Sequence, residues 1–197
     1  MGFVNLVSGG LDSTLIGVMA REDGLEQYPL FVDYGQRAAV REWETCQDVH
    51  RSLQLPSPTR MDLSGFGKVI LSGLTDKQKD VKLDAFTPGR NLMFLIMGGA
   101  FAHQTGATSI AIGLLSEEFS LFPDQTASFI SHAEAAINSS LDLKLKIVTP
   151  LSAFSKADVI RLAKSKGIAG TYSCHIGDSE PCGYCISCLE FNSQRER

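Results

Sequence analysis

The sequence predicts an α/β fold in which a doubly wound, Rossmann-like sheet of five parallel strands carries helices on both faces. Short β-rich runs alternate with longer helical patterns along the 197 residues. Strands joined by helices in this way lie parallel and connect through right-handed crossovers. A glycine-rich turn follows the first strand, at the edge where such sheets bind ligands, beyond the carboxyl ends of their strands.

The first half of the chain predicts three strands and two helices. The apolar run 3–7 is the first strand, and a helix continues from the glycine-rich turn through 15–20. A second strand at 30–34 precedes a helix at 38–53, and Pro56 and Pro58 end that helix before a short strand at 60–63. Apolar residues recur every three or four positions in the second helix and are expected to face the sheet: Val40, Trp43, Cys46, Val49 and Leu53. The charged residues between them are expected to face solvent: Arg41, Glu42, Glu44 and Asp48.

The second half predicts a long loop and then two strands between three helices. The polar stretch 64–86 has no clear periodicity and is predicted as a loop, and long loops in compact domains are often lids. Helices at 90–104 and 125–139 flank a strand at 109–115, and the last strand lies at 146–149. The final helix, 159–166, opens on Ser155-Lys156-Ala157-Asp158 and stops at Gly167.

Length and composition are those of a globular protein of one domain. We expect residues 1–170 to form the nucleotide-binding α/β domain and 171–197 a metal-binding segment packed on it. Apolar residues make up 44% and charged residues 20% of the chain, and no run approaches the roughly 18 apolar residues that cross a bilayer. The amino terminus has no signal region, so a cytoplasmic location is expected. The net charge of −4 argues against nucleic-acid binding driven by charge alone.

The turn Ser8-Gly9-Gly10-Leu11-Asp12-Ser13-Thr14 predicts a phosphate site. Two glycines let several N–H groups point at one anion, and the following helix adds its positive end. Asp12 suits a magnesium ion or a turn N–H. No lysine follows the glycines, so the turn differs from the G-x-x-x-x-G-K-[ST] loop and suits pyrophosphate. The alternative is an ordinary tight turn in which Asp12 or Ser13 caps the helix.

Four of the five cysteines lie within fifteen residues, as Cys174-x7-Cys182-x2-Cys185-x2-Cys188. In a cytoplasmic chain this spacing predicts a metal site, and four thiolates that close a tetrahedron predict structural zinc. An iron–sulfur cluster and a redox or disulfide role are the alternatives, and His175 could replace one ligand. Cys46 lies outside the set and is expected to be a small buried apolar residue.

The motifs together resemble the 7-cyano-7-deazaguanine synthase family of the PP-loop ATP pyrophosphatases. The turn 8–14 alone indicates only that broader group, which includes tRNA-thiolating enzymes, NAD synthetase and asparagine synthetase. The more specific family resemblance rests on further motifs, in chain order: Asp33-Tyr34-Gly35-Gln36-Arg37, Phe86-Thr87-Pro88-Gly89-Arg90-Asn91, Thr149-Pro150-Leu151, Ser155-Lys156-Ala157-Asp158 and the four cysteines. The resemblance implies an ATP- and magnesium-dependent enzyme with structural zinc. Such an enzyme converts the carboxylate of 7-carboxy-7-deazaguanine through an amide to a nitrile with ammonia, and by analogy it is a homodimer.

The resemblance also implies roles for single residues. ATP would be held by Ser8, Gly9, Gly10, Leu11, Asp12, Ser13, Thr14, Tyr34, Gln36 and Arg37. Asp12 with magnesium, Arg90 and Lys156 would stabilise the charge on the leaving phosphates and form the catalytic set. The deazapurine substrate would meet Arg90, Asn91, Glu118, Phe119 and Asp124. The alternatives are surface salt bridges for Arg37 and Arg90, a solvated Lys156 and core packing for Phe119.

Two departures from the family pattern concern the substrate side. Ala38 follows Arg37 where the family has histidine, and the loop at 118–126 lacks the family's glycine, tyrosine and arginine. The acceptor is therefore open, and two further hypotheses remain beside the synthase reaction. One is a relative that transfers a 7-deazaguanine acyl group to a protein or nucleic-acid amine, for example in phage defence. The other is a nucleotide-binding module without turnover.

Overall fold

Five parallel strands and seven α-helices make up residues 2–193, the part of the chain that the computed structural model describes. The strands are β1 Gly2–Val7, β2 Glu26–Asp33, β3 Thr59–Asp62, β4 Ser109–Ala111 and β5 Lys146–Val148. The helices are α1 Leu11–Glu22, α2 Ala39–Ser52, α3 Gly65–Val69, α4 Arg90–Thr105, α5 Ala127–Leu141, α6 Lys156–Ser165 and α7 Ile186–Asn192. Every predicted strand is present, and the predicted α/β fold class is confirmed.

The sheet has the order β3-β2-β1-β4-β5, and all its pairs are parallel. The first connections run from β1 toward β3, and the chain then crosses to the other side of β1 to form β4 and β5. The order therefore reverses between β1 and β4, which is where open α/β sheets leave a crevice for ligands. The turn after β1 and the turn after β4 meet in this crevice, because a Cβ atom on Gly113 would lie 3.3 Å from the Asp12 Cβ.

Apolar cores on the two faces of the sheet hold the helices in place. Alternate side chains of β1 point to opposite faces, so Val4 packs among residues of α4 and α5 while Phe3 packs among residues of α1 and α6. A smaller cluster of Val7, Phe31 and Cys46 attaches α2. Cys46 is fully buried, as expected of a small apolar residue.

The capping residues predicted at the start of the last long helix begin α6 in the structure. Ser155 caps α6, because its hydroxyl accepts from the Asp158 N–H at 3.2 Å while the Asp158 carboxylate accepts from the Ser155 N–H at 2.9 Å. Within residues 2–193, no helix is both long and apolar enough to span a bilayer.

The predicted orientation of α2 is wrong in its first turn. Val40 is 68% exposed, whereas Glu42 faces the interior. The first turn of α2 lies over the glycine-rich turn instead of the sheet: a Cβ on Gly9 would come within 2.8 Å of the Glu42 carbonyl oxygen. The predicted sheet-facing period holds from Trp43, whose ring centre lies 5.2 Å from that of Phe31, through Cys46 and Val49.

The stretch 64–86, predicted as a loop, also contains the short helix α3. Within the loop the Gly73 N–H donates to the Asp84 carbonyl at 2.7 Å, and the Ser72 hydroxyl lies 2.7 Å from that of Thr87, just beyond its end. Leu74 and Val81 from this loop are buried against Cys174 and Cys185. The loop therefore shares one small core with residues 171–193, which contain the four clustered cysteines and are called the cysteine segment below.

Candidate functional site

The glycine-rich turn presents the start of α1 to a cavity at the carboxyl edge of the sheet. Gly9 has φ +76°, which L-residues rarely adopt, and Gly10 begins α1 without a side-chain cap. Two hydroxyls hold the turn itself: Ser8 Oγ accepts from the Gly10 N–H and Ser13 Oγ accepts from the Ser8 N–H, both at 3.3 Å. The start of α1 therefore has no side-chain cap, and an uncapped helix start is a geometry that suits an anion.

Asp12 and Lys156 form an ion pair beside this turn. The Lys156 Nζ lies 2.9 Å from each carboxylate oxygen of Asp12, and it also lies 4.9 Å from the centre of the Phe191 ring. The lysine side chain is 11% exposed, so the sequence alternative of a solvated lysine is wrong. The pair joins the first turns of α1 and α6 at the mouth of the cavity.

Arg90 brings a second cation to the cavity, at the first position of α4. Its guanidinium lies 5.9 Å from the Tyr34 ring centre and 5.8 Å from that of Phe94. Its Nε is buried without a hydrogen bond, and Arg90 has no carboxylate partner within 4.0 Å among residues 2–193. A cation at a helix amino terminus opposes the helix dipole unless an anion joins it. Arg90 is therefore placed to bind an anionic ligand.

Glu42 lines the same cavity, although the sequence pattern indicated a solvent-facing position. Gln36 orients it: the Gln36 carbonyl oxygen accepts from the Tyr34 N–H at 2.9 Å, and its amide donates to Glu42 Oε2 at 2.8 Å. Burial raises the pKa of Glu42 to about 7, although the hydrogen bond from Gln36 and the charge of Arg90 act in the opposite direction.

The cavity has a volume of about 320 Å³ and brings together most of the predicted site. The predicted residues that line it are Ser8, Gly10, Asp12, Ser13, Tyr34, Gln36, Arg90, Asn91 and Lys156. It is also lined by polar residues that the sequence analysis did not select: Glu42, Gln125, Ser173, Ser187 and Glu190, with His175, considered there only as a metal ligand. Four of these six follow the last predicted helix, where no nucleotide motif marked them.

Several predicted residues lie outside the lining. The Thr14 hydroxyl donates to the Gly10 carbonyl at 2.8 Å, and Arg37 donates to the Gly73 carbonyl at 3.2 Å, so both support neighbouring backbone. Gly9 and Leu11 belong to the glycine-rich turn but do not line the cavity.

The predicted substrate loop meets the cavity through different residues from those expected. Glu118 and Phe119 are exposed and do not line the cavity, whereas Leu121 and Phe122 do. Asp124 is partly buried, which raises the pKa of its carboxyl, and its carbonyl accepts from the Asn91 amide at 3.0 Å. That bond attaches the loop to the start of α4.

The four cysteines converge on one point, as expected of a metal site. The Sγ atoms of Cys174, Cys182, Cys185 and Cys188 all lie within 4.8 Å of one another. A tetrahedral zinc site with Zn–S bonds of about 2.3 Å needs S–S separations of about 3.8 Å, so small side-chain shifts complete it. Backbone N–H groups point at three of the sulfurs, from Cys182, Cys185 and Cys188 at 3.3, 3.3 and 3.5 Å.

The electrostatics of Cys174 favour a thiolate. Burial raises its pKa, but hydrogen bonds from the backbone N–H groups of Cys182 and Ile176 outweigh burial and hold the pKa at about 7. Four thiolates complete a tetrahedron by themselves, which suits a structural ion.

The cysteine segment also forms one wall of the cavity. The Tyr172 N–H donates to the Gly9 carbonyl at 3.0 Å, which attaches the segment to the glycine-rich turn. Burial lowers the pKa of His175 to about 4, and the charges of Arg90 and Lys156 add to this effect, so the ring is neutral between two cations.

Comparison with known proteins finds relatives that cover nearly the whole chain. The family model of "Queuosine biosynthesis protein QueC" matches residues 2–194. A relative from Aliarcobacter butzleri (strain RM4018), named 7-cyano-7-deazaguanine synthase, is 36% identical over 195 residues, which cover 93% of this chain and 86% of the relative. A second protein of that name, from Campylobacter concisus (strain 13826), is 34% identical over 197 residues, covering 94% of this chain and 89% of its own.

Solved structures with lower identity share the fold. A 4-thiouridine synthetase, solved with RNA and bound ATP, matches with a TM-score of 0.56 and 21% identity over 98% of this chain and 50% of its own. NMN synthetase from Francisella tularensis matches with a TM-score of 0.53 and 18% identity over 91% and 66%. Because the family model covers nearly the whole sequence and the relatives exceed 30% identity, the chain belongs to the QueC family.

Proposed function

We propose that the chain is an ATP-dependent carbon–nitrogen ligase of the 7-cyano-7-deazaguanine synthase type. It adenylates the carboxylate of 7-carboxy-7-deazaguanine, releases pyrophosphate, and aminates the adenylate with ammonia to the amide and then the nitrile. The relatives named 7-cyano-7-deazaguanine synthase align with this chain over most of their length, which supports an enzyme of this kind. The observation that carries the proposal is one cavity in which an uncapped helix start, the Asp12–Lys156 pair and Arg90 meet, and Arg90 has no carboxylate partner within residues 2–193.

The reaction needs activation because a carboxylate is a poor electrophile. One carboxylate oxygen bonds to the α-phosphorus of ATP, and the bond from that phosphorus to the pyrophosphate oxygen breaks. Ammonia then bonds to the acyl carbon, AMP leaves with the acyl oxygen, and a proton is lost to give the amide. The amide oxygen then bonds to the α-phosphorus of a second ATP and pyrophosphate leaves, and loss of AMP and of both protons on the amide nitrogen gives the nitrile.

The residues of the cavity suit the charges that this reaction moves. The pyrophosphate would be held at the start of α1, where N–H groups and the helix dipole favour an anion. Arg90 and Lys156 would offset the negative charge that develops on the leaving phosphates. The Asp12 carboxylate is the hard oxygen ligand that magnesium prefers, and magnesium would supply further charge neutralisation there.

The cysteine set would hold zinc in a structural role. Four thiolates leave the ion no open position, so it would supply no Lewis acid to the cavity. The division into 1–170 and 171–197, the cytoplasmic location and the homodimer stay predictions, and light scattering of the purified protein would test the last. No observation favours transfer to a protein or nucleic-acid amine, or loss of turnover.

A direct assay tests the proposed function. The protein is incubated with ATP, magnesium, ammonium and 7-carboxy-7-deazaguanine, and AMP, pyrophosphate and organic products are followed by mass spectrometry. We expect AMP and pyrophosphate that depend on the acid, with amide appearing before nitrile. ATP binding without AMP release would contradict the proposal, and so would an adenylate that ammonium leaves unchanged.

Asp12→Ala tests the role of the acidic residue in the turn. We expect acid-dependent AMP formation to fall by at least about a hundredfold, because the variant loses both the partner of Lys156 and the carboxylate assigned to magnesium. Asp23→Ala, at the carboxyl end of the same helix, is the matched control and should retain activity. Undiminished AMP release from Asp12→Ala would remove Asp12 from the mechanism.

A further inference from the structure

Ser173 lies beside the glycine-rich turn although it belongs to the cysteine segment. The bond from the Tyr172 N–H to the Gly9 carbonyl places the next residue against the start of α1. A Cβ atom built on Gly10 would lie 3.2 Å from Ser173 Oγ and 3.2 Å from Ser8 Oγ. The two hydroxyls therefore flank Gly10, the residue that begins α1.

The hydroxyl of Ser173 has no hydrogen-bond partner in residues 2–193, and the residue lines the cavity. The Ser8 and Ser13 hydroxyls, by contrast, accept bonds from the turn. Of the three serines around the turn, Ser173 is thus the one whose hydroxyl is not engaged with protein atoms.

A second polar atom on the same wall also has no hydrogen-bond partner among residues 2–193. His175 Nδ1 is buried and has no hydrogen bond, and His175 lines the cavity together with Ser173. Leaving a buried polar atom unpaired costs free energy, so such atoms in native proteins indicate a ligand or water. The wall formed by the cysteine segment is accordingly built to meet a polar ligand.

We propose that Ser173 is a further nucleotide-binding residue, whose hydroxyl donates a hydrogen bond to the pyrophosphate portion of ATP held by the glycine-rich turn. This inference rests on the proposed function and deepens it. It makes the cysteine segment part of the nucleotide site: Cys174, the next residue, fixes Ser173 through the metal cluster. A hydroxyl held by rigid neighbours loses little conformational freedom on binding, and its bond to an anionic phosphate is charge-assisted.

Calorimetry on the zinc-containing protein tests the proposal, with ATP, inorganic pyrophosphate and AMP titrated separately in the presence of magnesium. We expect Ser173→Ala to weaken ATP and pyrophosphate binding about tenfold, the usual effect of losing a hydrogen bond to a charged group, while AMP binding changes less than about twofold. Ser179→Ala is the matched control: it changes an exposed serine of the same segment outside the cavity, and every affinity should stay.

Ser173→Thr and Ser173→Val provide a second comparison that does not depend on the alanine variant folding normally. The two side chains have nearly the same shape, and any steric damage affects both, so their difference reports the hydroxyl alone. We expect the Ser173→Thr protein to bind pyrophosphate about tenfold more tightly than the Ser173→Val protein, while elemental analysis finds the same zinc content in both. Equal affinities of the two variants, or a loss confined to AMP, would overturn the proposal. If the unmodified protein bound no ATP, the proposed function itself would fail.

Discussion

Arg90 and Glu42 show how single residues set the charge of the cavity. Arg90 has no carboxylate partner within 4.0 Å in residues 2–193, whereas burial raises the pKa of Glu42 to about 7. Burial thus favours the protonated form of Glu42, and the Asp12 carboxylate has the Lys156 Nζ 2.9 Å away. The cavity is therefore less negative than its carboxylates suggest, which favours an anionic nucleotide.

Glu42→Gln should stabilise the protein increasingly as pH rises. The groups facing Glu42 are Gln36, Arg90, Tyr34, Asp33 and Cys46. Because the folded-state pKa of about 7 exceeds the unfolded value of 4.5, the stabilising contribution of protonated Glu42 is full below pH 4.5 and is lost as pH rises through 7. Glutamine mimics the protonated form at every pH. Urea unfolding should show its advantage growing by about 2 kcal/mol between pH 5.5 and 8.

Glu44→Gln is the control for this pH effect. Glu44 is exposed on the same helix, so its replacement should shift the unfolding free energy almost equally at both pH values. A difference between Glu42→Gln and the unmodified protein that does not depend on pH would show that Glu42 is ionised normally.

At the scale of an element, the glycine-rich turn is fixed by how closely α2 approaches it. A Cβ on Gly9 would lie 2.8 Å from both the Cys46 nitrogen and the Glu42 carbonyl oxygen, and Gly9 has φ +76°. Gly9→Ala therefore incurs both backbone strain and a clash with backbone, and should destabilise the protein by about 3 kcal/mol. Urea unfolding and ATP calorimetry measure the loss of stability and of binding.

Gly24→Ala separates the two costs in that prediction. Gly24 has φ +67°, but a Cβ there would have no atom within 4 Å. Gly24→Ala should therefore lower the free energy of unfolding by only the conformational cost, about 1 kcal/mol, and should leave ATP binding unchanged. Equal destabilisation by the two variants would mean that the approach of α2 to the turn has no energetic weight.

The elements also show what local sequence could and could not predict. Glycine pairs, capping boxes and apolar runs act within a few residues, so the glycine-rich turn after β1, the start of α6 and the existence of the five strands followed from the sequence. The phase of α2 depends on the turn that it packs against, which is distant in sequence, and Glu42 was therefore misplaced. The expected strand at 109–115 forms ladder pairs only over β4, because the chain then turns at Gly113 across Asp12. Helix α7 was missed because its seven residues are too few to show a period.

For the whole molecule, the cysteine segment connects parts that are far apart in sequence. Its buried residues share a core with Leu74 and Val81 of the long loop, and the Tyr172 N–H bonds to the Gly9 carbonyl of the glycine-rich turn. Within this segment α7 is short, and an isolated helix of that length is unstable in water. This wall of the cavity is therefore held by tertiary contacts, and we expect a metal bound by the four cysteines to add to its stability.

Cys185→Ser tests this dependence of the site on the metal. Cys185 is fully buried, and its Sγ caps α7 by accepting from the Cys188 N–H at 3.5 Å. We expect zinc per chain to fall from one toward zero, the melting temperature to drop by at least about 5 °C, and ATP affinity to fall because Ser173 is no longer held. Cys46 is a buried cysteine outside the cluster, so the control variant Cys46→Ala should keep its zinc.

A chelator provides a second test. Because the binding free energy of a structural ion contributes to the folding free energy, a chelator should lower the melting temperature of the unmodified protein to that of Cys185→Ser and leave the variant's melting temperature unchanged. One zinc per chain retained in Cys185→Ser, or a chelator effect of equal size in both proteins, would show that the cluster is not the metal site.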